Sequence, residues 1–526
     1  MNPAPNPASN QPPPLADYNL FTSDAVLTAA VNRECAAWAR PQLEEFGRIL
    51  GLEETIRLGF QANENPPVRN RGDEVEFHPA WHELMRLAID NRIHNLPWAD
   101  SRRGAHVARA ALLYLASQNE AGHTCPVSMT YACVPALRKQ PDAASAWEPL
   151  LLSNTYDRRF LPSGGKKGVL IGMSMTERQG GSDVRANTTR AEPAGSAGEY
   201  VINGEKWFCS APMCDAFLIL AQAPGGLTCF LLPRWTPDSK RNGFRIQRLK
   251  DKLGNRSNAS AEVAFENAWA RRIGEEGRGV ATIIGMVQHT RLDCAVGSAA
   301  GMRQALVQAL YHARRRRAFG KVLVEHALMR NVLADLALEV EAATLLAMRV
   351  ARAFDNGEHA FARLATPVAK YWLGKRAPAV TAEAMECLGG NGYIEESVMP
   401  RLYREAPLNS IWEGCGNLIC LDILRAVSKE PASVDAILDE ARQARAGDRR
   451  FDAFLDRTAS ALSRADESNA RVIAENLALL LQASLMVRFS APAAAAAFCA
   501  TRLSGEGGRV FGTLPASADT EAILNR

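Results

Sequence analysis

Between residues 169 and 270 the helical pattern that governs the rest of the chain gives way to strands, and this interruption constrains the fold more than any other feature. "AFLILAQA" (216–223) and "GLTCFLLPR" (226–234) are apolar runs of strand length separated by a Pro-Gly-Gly turn. "EYVINGEKWFCS" (199–210) carries Asn203-Gly204 between β-prone residues. Both positions tolerate φ > 0, so a second hairpin turn is predicted there. "LGNRSNASAEVAFENA" (253–268) ends in an alternating stretch from Ala261 to Phe265. These pieces predict a compact antiparallel β unit set inside a helical chain.

The flanks read as helices. "HPAWHELMRLAI" (78–89) and "HVARAALLYLASQNEAG" (106–122) place apolar residues at helical spacing, and "LPSGGKKG" (161–168) is a plausible linker. Beyond residue 279, "HALMRNVLADLALEVEAATLLAMRVARAF" (326–354) and "FARLATPVAKYWLGKRAPAVTAEAMECL" (361–388) are long enough to pack as a bundle. Pro367 and Pro378 mark possible kinks in the second of these. The expected fold class is α+β, mainly α. Its expected parts are a mobile proline- and asparagine-rich arm (1–20), a helical domain (21–165), the β domain (166–275), a helical bundle (276–430) and a C-terminal helical domain (431–526).

Several function classes are excluded at this level. The 526 residues carry a net charge of only +4, which neither requires nor forbids a polyanionic partner. The eleven cysteines are scattered without a C-x-x-C, so buried thiols in a reducing compartment are expected in place of a zinc site or disulfide framework. His78 and His82 are four apart, but Pro79 lies between them and no metal site is predicted. The first residues lack a basic segment followed by an apolar one, and no run of 18 apolar residues occurs. A cytoplasmic location without a membrane span is expected. No G-x-G-x-x-G follows a strand, and neither a phosphate-binding P-loop nor a G-x-S-x-G nucleophile elbow is present.

Seven short stretches supply the positive signal, in this order: "MTERQGGSD", "GEKWFCS", "KDKLGNRSNAS", "GEEGRG", "RAFG", "LGGNGY" and "IWEGCGN". Together they resemble the acyl-CoA dehydrogenase family, and more narrowly its AidB branch of alkylation-response flavoproteins. The resemblance spans essentially the whole chain. It implies the acyl-CoA dehydrogenase fold with an added C-terminal helical domain, FAD as cofactor across a subunit interface, an acyl-CoA thioester as possible substrate, and a homotetramer.

Carried over by motif, the Met175 backbone and the Thr176 hydroxyl would meet the flavin edge, and Ser182 the FAD phosphates. Phe208 takes the aromatic position beside the flavin and Ser210 the hydroxyl position near its N5, with Cys209 between them. Arg316, three residues before Phe319, matches the arginine that grips the FAD diphosphate, a task suited to a guanidinium fork. Gly389 and Gly390 fit a close backbone approach. Glu386 stands where the family commonly has glutamine, and an acid there donates a hydrogen bond only when protonated. Ile411, Trp412, Gly414, Cys415 and Asn417 would lie along FAD, with Cys415 replacing a usual threonine.

Glu413 matches the family's catalytic base. A carboxylate with an ordinary pKa is a poor base for a thioester α-proton, and burial among apolar groups such as Trp412 and Ile411 would raise it. The helix that begins just beyond it acts the other way, favouring the ionised form by roughly 0.3–1 kcal/mol.

The branch resemblance further implies double-stranded DNA as a partner, through the C-terminal domain. Residues 431–526 hold eleven arginines, no lysine and twelve acids, a net of 11 − 12 = −1. Only "ARQARAGDRRF", with Arg442, Arg445, Arg449 and Arg450, is locally basic. A surface helix with ion pairs explains the same residues. The two readings of the whole chain are a DNA-associated flavoprotein of the alkylation response and a metabolic acyl-CoA dehydrogenase whose extra domain serves assembly.

Overall fold

A computed structural model describes residues 10–70 and 72–525. The chain divides into two compact units, each assembled from more than one segment of the sequence. One comprises residues up to 53, 106–118 and 294–526; the other comprises 54–105 and 119–293.

The second unit is built on a seven-stranded sheet: β1 (Ile171–Ser174), β2 (Arg190–Pro193), β3 (Glu199–Ser210), β4 (Ala216–Ala223), β5 (Gly226–Pro233), β6 (Phe244–Leu249) and β7 (Ser260–Ile273). Pairing runs β1-β4-β2-β3-β7-β5, with β6 also on β7 and β5 returning to β4, so the order closes on itself. Most pairs are antiparallel, but β1 runs parallel to β4, and Arg190 makes one parallel bridge to Gln222. The predicted hairpin at Pro224-Gly225 is present, with Ala223 opposite Gly226. The β4 run is almost wholly buried, which explains why it is continuously apolar and does not alternate.

The turn expected at Asn203-Gly204 is not formed. β3 passes straight through it as a twelve-residue strand. The irregularity falls on β7 instead, where Glu266 and Asn267 together oppose Asn203, and Asn267 takes a left-handed φ of 52°. Asn203 and Asn267 close this bulge by exchanging hydrogen bonds. Glycine at 204 answers a different need: a Cβ there would sit 2.7 Å from Thr189 Cα.

A second bulge lies further along β3. Lys206 pairs with Val263 and Cys209 with Ala261, so Trp207 and Phe208 together oppose Glu262. Alternation breaks here, with Lys206 and Cys209 both turned inward. Beneath it the Lys206 ammonium donates to Glu177 Oε1 at 2.7 Å and to the Leu220 carbonyl at 2.8 Å. The ion pair is almost completely buried, with side chains 0% and 2% exposed. Glu177 also accepts from the Thr188 and Thr189 amides. Burial raises its carboxyl pKa, but Lys206 and these hydrogen bonds outweigh that and hold it below the ordinary value.

The first unit is helical. Its long helices are the C-terminal part of Gly279–Ala313, then Ala327–Asp355, His359–Glu386, Gly416–Lys429 and Ala470–Phe489. Tyr114 is buried among them, bonding to Asp24 Oδ2 and Thr344 Oγ1. Residues 431–526 pack directly on the bundle helices and share their core. Arg349 pairs with Glu440 at 2.7 Å, both buried, and Trp372 donates to Gln482. Ala470–Phe489 is long and apolar enough by composition to cross a bilayer, and here much of it lies in this core.

The arm expected to be mobile through residue 20 is instead fastened from Asn10 onward. Asp17 and Leu20 donate main-chain hydrogen bonds to Gly51 and Gly47, Tyr18 donates to Gln304, and Leu20 is buried. Residues 1–9 of that arm lie outside the described residues.

Candidate active site

In the β-containing unit the expected flavin-edge residues cluster around the second bulge. Thr176 accepts the Trp207 amide at 2.8 Å, and the Met175 carbonyl accepts from Asn187. Ser174 Oγ donates to the Phe208 carbonyl at 3.0 Å. The 175–181 turn closes through a reciprocal bridge between Glu177 and Gly180. It is therefore tied to β3 both by main chain and by the Glu177–Lys206 pair.

The bulge determines what this strand presents. Phe208 is 48% exposed, which is unusual for a ring on a buried sheet and suits stacking on a planar group. Lys250 Nζ lies 3.3 Å from the Trp207 ring centroid and 4.9 Å from that of Phe208. Ser210 faces Ser260, their hydroxyls 3.2 Å apart. Ser182 is exposed ahead of the short turn Val184–Ala186. Cys209 is a correction: it is fully buried, its thiol pKa pushed up to about 12 by that burial, so only its main chain can meet a ligand. The motif reading passed over Glu177, Lys206 and Trp207. An acid and a lysine in strand-forming sequence were a usable signal, because such groups are rarely buried unless paired.

In the helical unit, Arg316, Glu386, Gly389 and Gly390 come together. They line one cavity of about 330 Å³ with Gln11, His312 and Asn391. Phe319 lies beyond it, 96% exposed, at the tip of a two-residue turn between Arg317–Ala318 and Lys321–Val322. Its left-handed φ of 48° is rare for a bulky side chain and marks local strain.

This cavity also tests whether the implied cofactor fits. A Cβ on Gly389 or Gly390 would meet no heavy atom within 4 Å. Gly389 needs glycine for its φ of 61°, but nothing in the surrounding protein requires it at 390. Free space over two glycines beside an arginine suits a diphosphate, so these residues fit FAD.

Glu413 is not among the residues lining that cavity. It follows the short turn Leu408–Ser410 and precedes the helix Gly416–Lys429, with a left-handed φ of 57°. Gly414 continues at φ 104°, and its carbonyl accepts from the buried Lys370 ammonium. The apolar wall is only half formed. Trp412 is half-buried, its indole N–H donating to Asn409, whereas Ile411 is 62% exposed. Cys415 caps the helix without a side-chain hydrogen bond, as its thiol predicts. Asn417, expected along the cofactor, has its Oδ1 engaged by Arg471 at 2.6 and 3.0 Å.

Three of the four candidate DNA-contacting arginines are already neutralised. Arg442 pairs with Asp439, Arg445 with Asp456, and Arg450 with Asp448. Arg449 is exposed at the start of the helix Arg449–Leu462. Among the described residues no group of acidic, histidine and cysteine side chains is arranged to hold a metal ion.

Comparison with known proteins bears on the family and the fold. Residues 10–158 match the adaptive response protein AidB N-terminal domain, 172–268 the acyl-CoA dehydrogenase middle domain, and 277–428 the acyl-CoA dehydrogenase C-terminal domain. The chain is 48% identical over 512 residues to the putative acyl-CoA dehydrogenase AidB of Escherichia coli, covering 95% of this chain and 94% of that one. It is 31% identical to acyl-CoA dehydrogenase family member 11 of Caenorhabditis elegans, over 78% and 71% of the two chains. The crystal structure of C. elegans ACDH-11 in complex with C11-CoA superposes with a TM-score of 0.85 at 26% identity, covering 95% and 93%. This chain belongs to the acyl-CoA dehydrogenase family of FAD-dependent oxidoreductases, in its AidB branch.

Proposed function

We propose that the protein oxidises an acyl-CoA thioester at its α and β carbons, with Glu413 taking the α-proton, as part of the response to DNA alkylation. FAD, when bound, supplies the acceptor for the β-hydride. The observation that carries the reading is the backbone at Glu413. A non-glycine residue is held in a left-handed conformation, at the position that matches the family base, and is fastened from behind by Lys370 on the Gly414 carbonyl. Such strain persists where the surroundings fix the residue, and it sets the carboxylate apart from the helix that follows. The C. elegans relative solved with C11-CoA supports an acyl-CoA thioester as the substrate class. Phe208 and Trp207 would orient the ring system, and Arg316 with the Gly389–Gly390 turn would hold the diphosphate.

Replacing Glu413 with Gln tests this directly. The half-reaction, followed as flavin bleaching by acyl-CoAs of graded length, should slow about 10²- to 10⁴-fold while FAD remains bound. Unchanged bleaching would remove Glu413 as the base.

The same reading places the protein in the cytoplasm as a homotetramer and has it bind double-stranded DNA. Its support is the match to the adaptive response AidB model and the E. coli AidB relative. One observation favours the other reading of residues 431–526, as an assembly segment: they share the bundle core, and their basic stretch is largely paired with aspartates. A duplex-binding titration separates the two. Binding that weakens steeply with salt supports the DNA role, and no binding at low salt leaves a metabolic acyl-CoA dehydrogenase.

A further inference from the structure

The dipeptide Asn10-Gln11 touches both motifs that line the 330 Å³ cavity. Asn10 meets the first of them three times. Its carbonyl accepts from Arg316 Nη1 at 2.6 Å. Its side-chain amide donates to the Arg317 carbonyl at 2.8 Å and accepts from the Arg317 amide at 3.0 Å. Gln11 meets the second, its Oε1 accepting from Asn391 Nδ2 at 2.7 Å, directly after Gly389–Gly390. The first set is a reciprocal clasp in which a side chain imitates a strand neighbour, closing the edge of the small Arg317–Val322 hairpin.

Residue types here match the task. Asn10 has φ 49°, and asparagine is among the few side chains that adopt this region readily while offering both a donor and an acceptor. Pro12, Pro13 and Pro14 then lead to the fastened residues Asp17 to Leu20. A proline run is a semi-rigid spacer with little entropy to lose, so the clasp is delivered on a stiff strut and not on a free tail.

We propose that the N-terminal segment is a built part of the cofactor site: Asn10 is a positioning residue that fixes the guanidinium of Arg316, and Gln11 joins the Gly389–Asn391 turn to form the opposite wall. The inference rests on the reading that puts the FAD diphosphate at Arg316. One donor of Arg316 is spent on Asn10, which holds its fork in place and leaves the others for the anion. A preorganised fork binds more tightly because less side-chain freedom is lost on binding.

The test uses the full-length chain, stripped of FAD and titrated with it, with quenching of flavin fluorescence as the readout. Asn10→Ala/Gln11→Ala should weaken FAD about tenfold, close to 1.4 kcal/mol, while the melting temperature of the FAD-free protein stays unchanged. In an Arg316→Ala background the same pair of substitutions should change FAD affinity by less than about twofold, because the residue they position is gone. Full-strength FAD binding by the Asn10/Gln11 variant overturns the inference alone. An undiminished tenfold loss on top of Arg316→Ala overturns it too, since the segment would then act independently of Arg316. If Arg316→Ala by itself leaves FAD affinity unchanged, the placement of the diphosphate falls and the inference falls with it.

Discussion

The two units hold their candidate site residues by opposite means. In the β-containing unit, Thr176 and Phe208 are set by ladder bonds, a bulge and the buried Glu177–Lys206 pair. In the helical unit, Phe319, Gly389, Glu413 and Gly414 occupy turns with positive φ, steadied by a few specific contacts. A sheet position is shared among many bonds and yields only when its interior fails. A left-handed turn is local, so single substitutions change it without endangering the fold. The first arrangement ties candidate residues to the stability of the sheet, and the second leaves them largely independent of it.

The largest effect should come from the interior of the sheet. Lys206→Met strands the Glu177 carboxylate in a buried site, which should cost about 3–5 kcal/mol in chemical denaturation. Replacing both partners with methionine should recover only part of that loss, because the Thr188 and Thr189 amides then lose their acceptor. A cost below about 1 kcal/mol would break the contrast. On the turn side, Gly390→Ala adds a methyl group where the chain offers no clash. FAD should bind about tenfold more weakly, or 1.4 kcal/mol, with no fall in the melting temperature of the FAD-free protein. Equal losses in both measurements would show that Gly390 serves packing.

A smaller effect is expected at Glu413. Glu413→Gly relieves the left-handed strain but also removes whatever contacts the carboxylate makes and frees the unfolded chain, so stability should change by less than about 1 kcal/mol. A larger loss would mean that the side-chain contacts outweigh the strain. The smallest effect lies at the surface, where Arg445→Ala breaks an exposed pair with Asp456 and should change stability by less than about 0.5 kcal/mol. A larger loss would give the C-terminal arginines a structural weight that their exposure does not suggest.

Much of the fold was legible because its signals are local. The Pro224-Gly225 hairpin, the buried β4 run and the long helices follow from residues adjacent in sequence. The failures share the opposite property. Asn203-Gly204 has the chemistry of a turn, but whether a chain turns there depends on what faces it, and β7 absorbs the irregularity with its own extra residue. Glu177 and Lys206 are 29 residues apart, and only sheet register brings them together. The arm from Asn10 reads as mobile because its partners, Arg316, Arg317 and Asn391, lie some 300 residues or more downstream. Of the candidate site, motif order named the candidate residues, while the groups that hold them in place lay in the pairing pattern.

The bulge at Trp207–Phe208 has a consequence for how such a site can change by insertion and deletion. Regular alternation from Lys206 inward would put the next inward residue two positions on, and in this chain it is three. The strand therefore carries one residue more than its ladder needs. Shortening it by one at this point would bring Cys209 back into step with Lys206 and leave the sheet whole, with one aromatic ring fewer. The bulge thus separates the number of aromatic rings on the exposed side from the register of the core below.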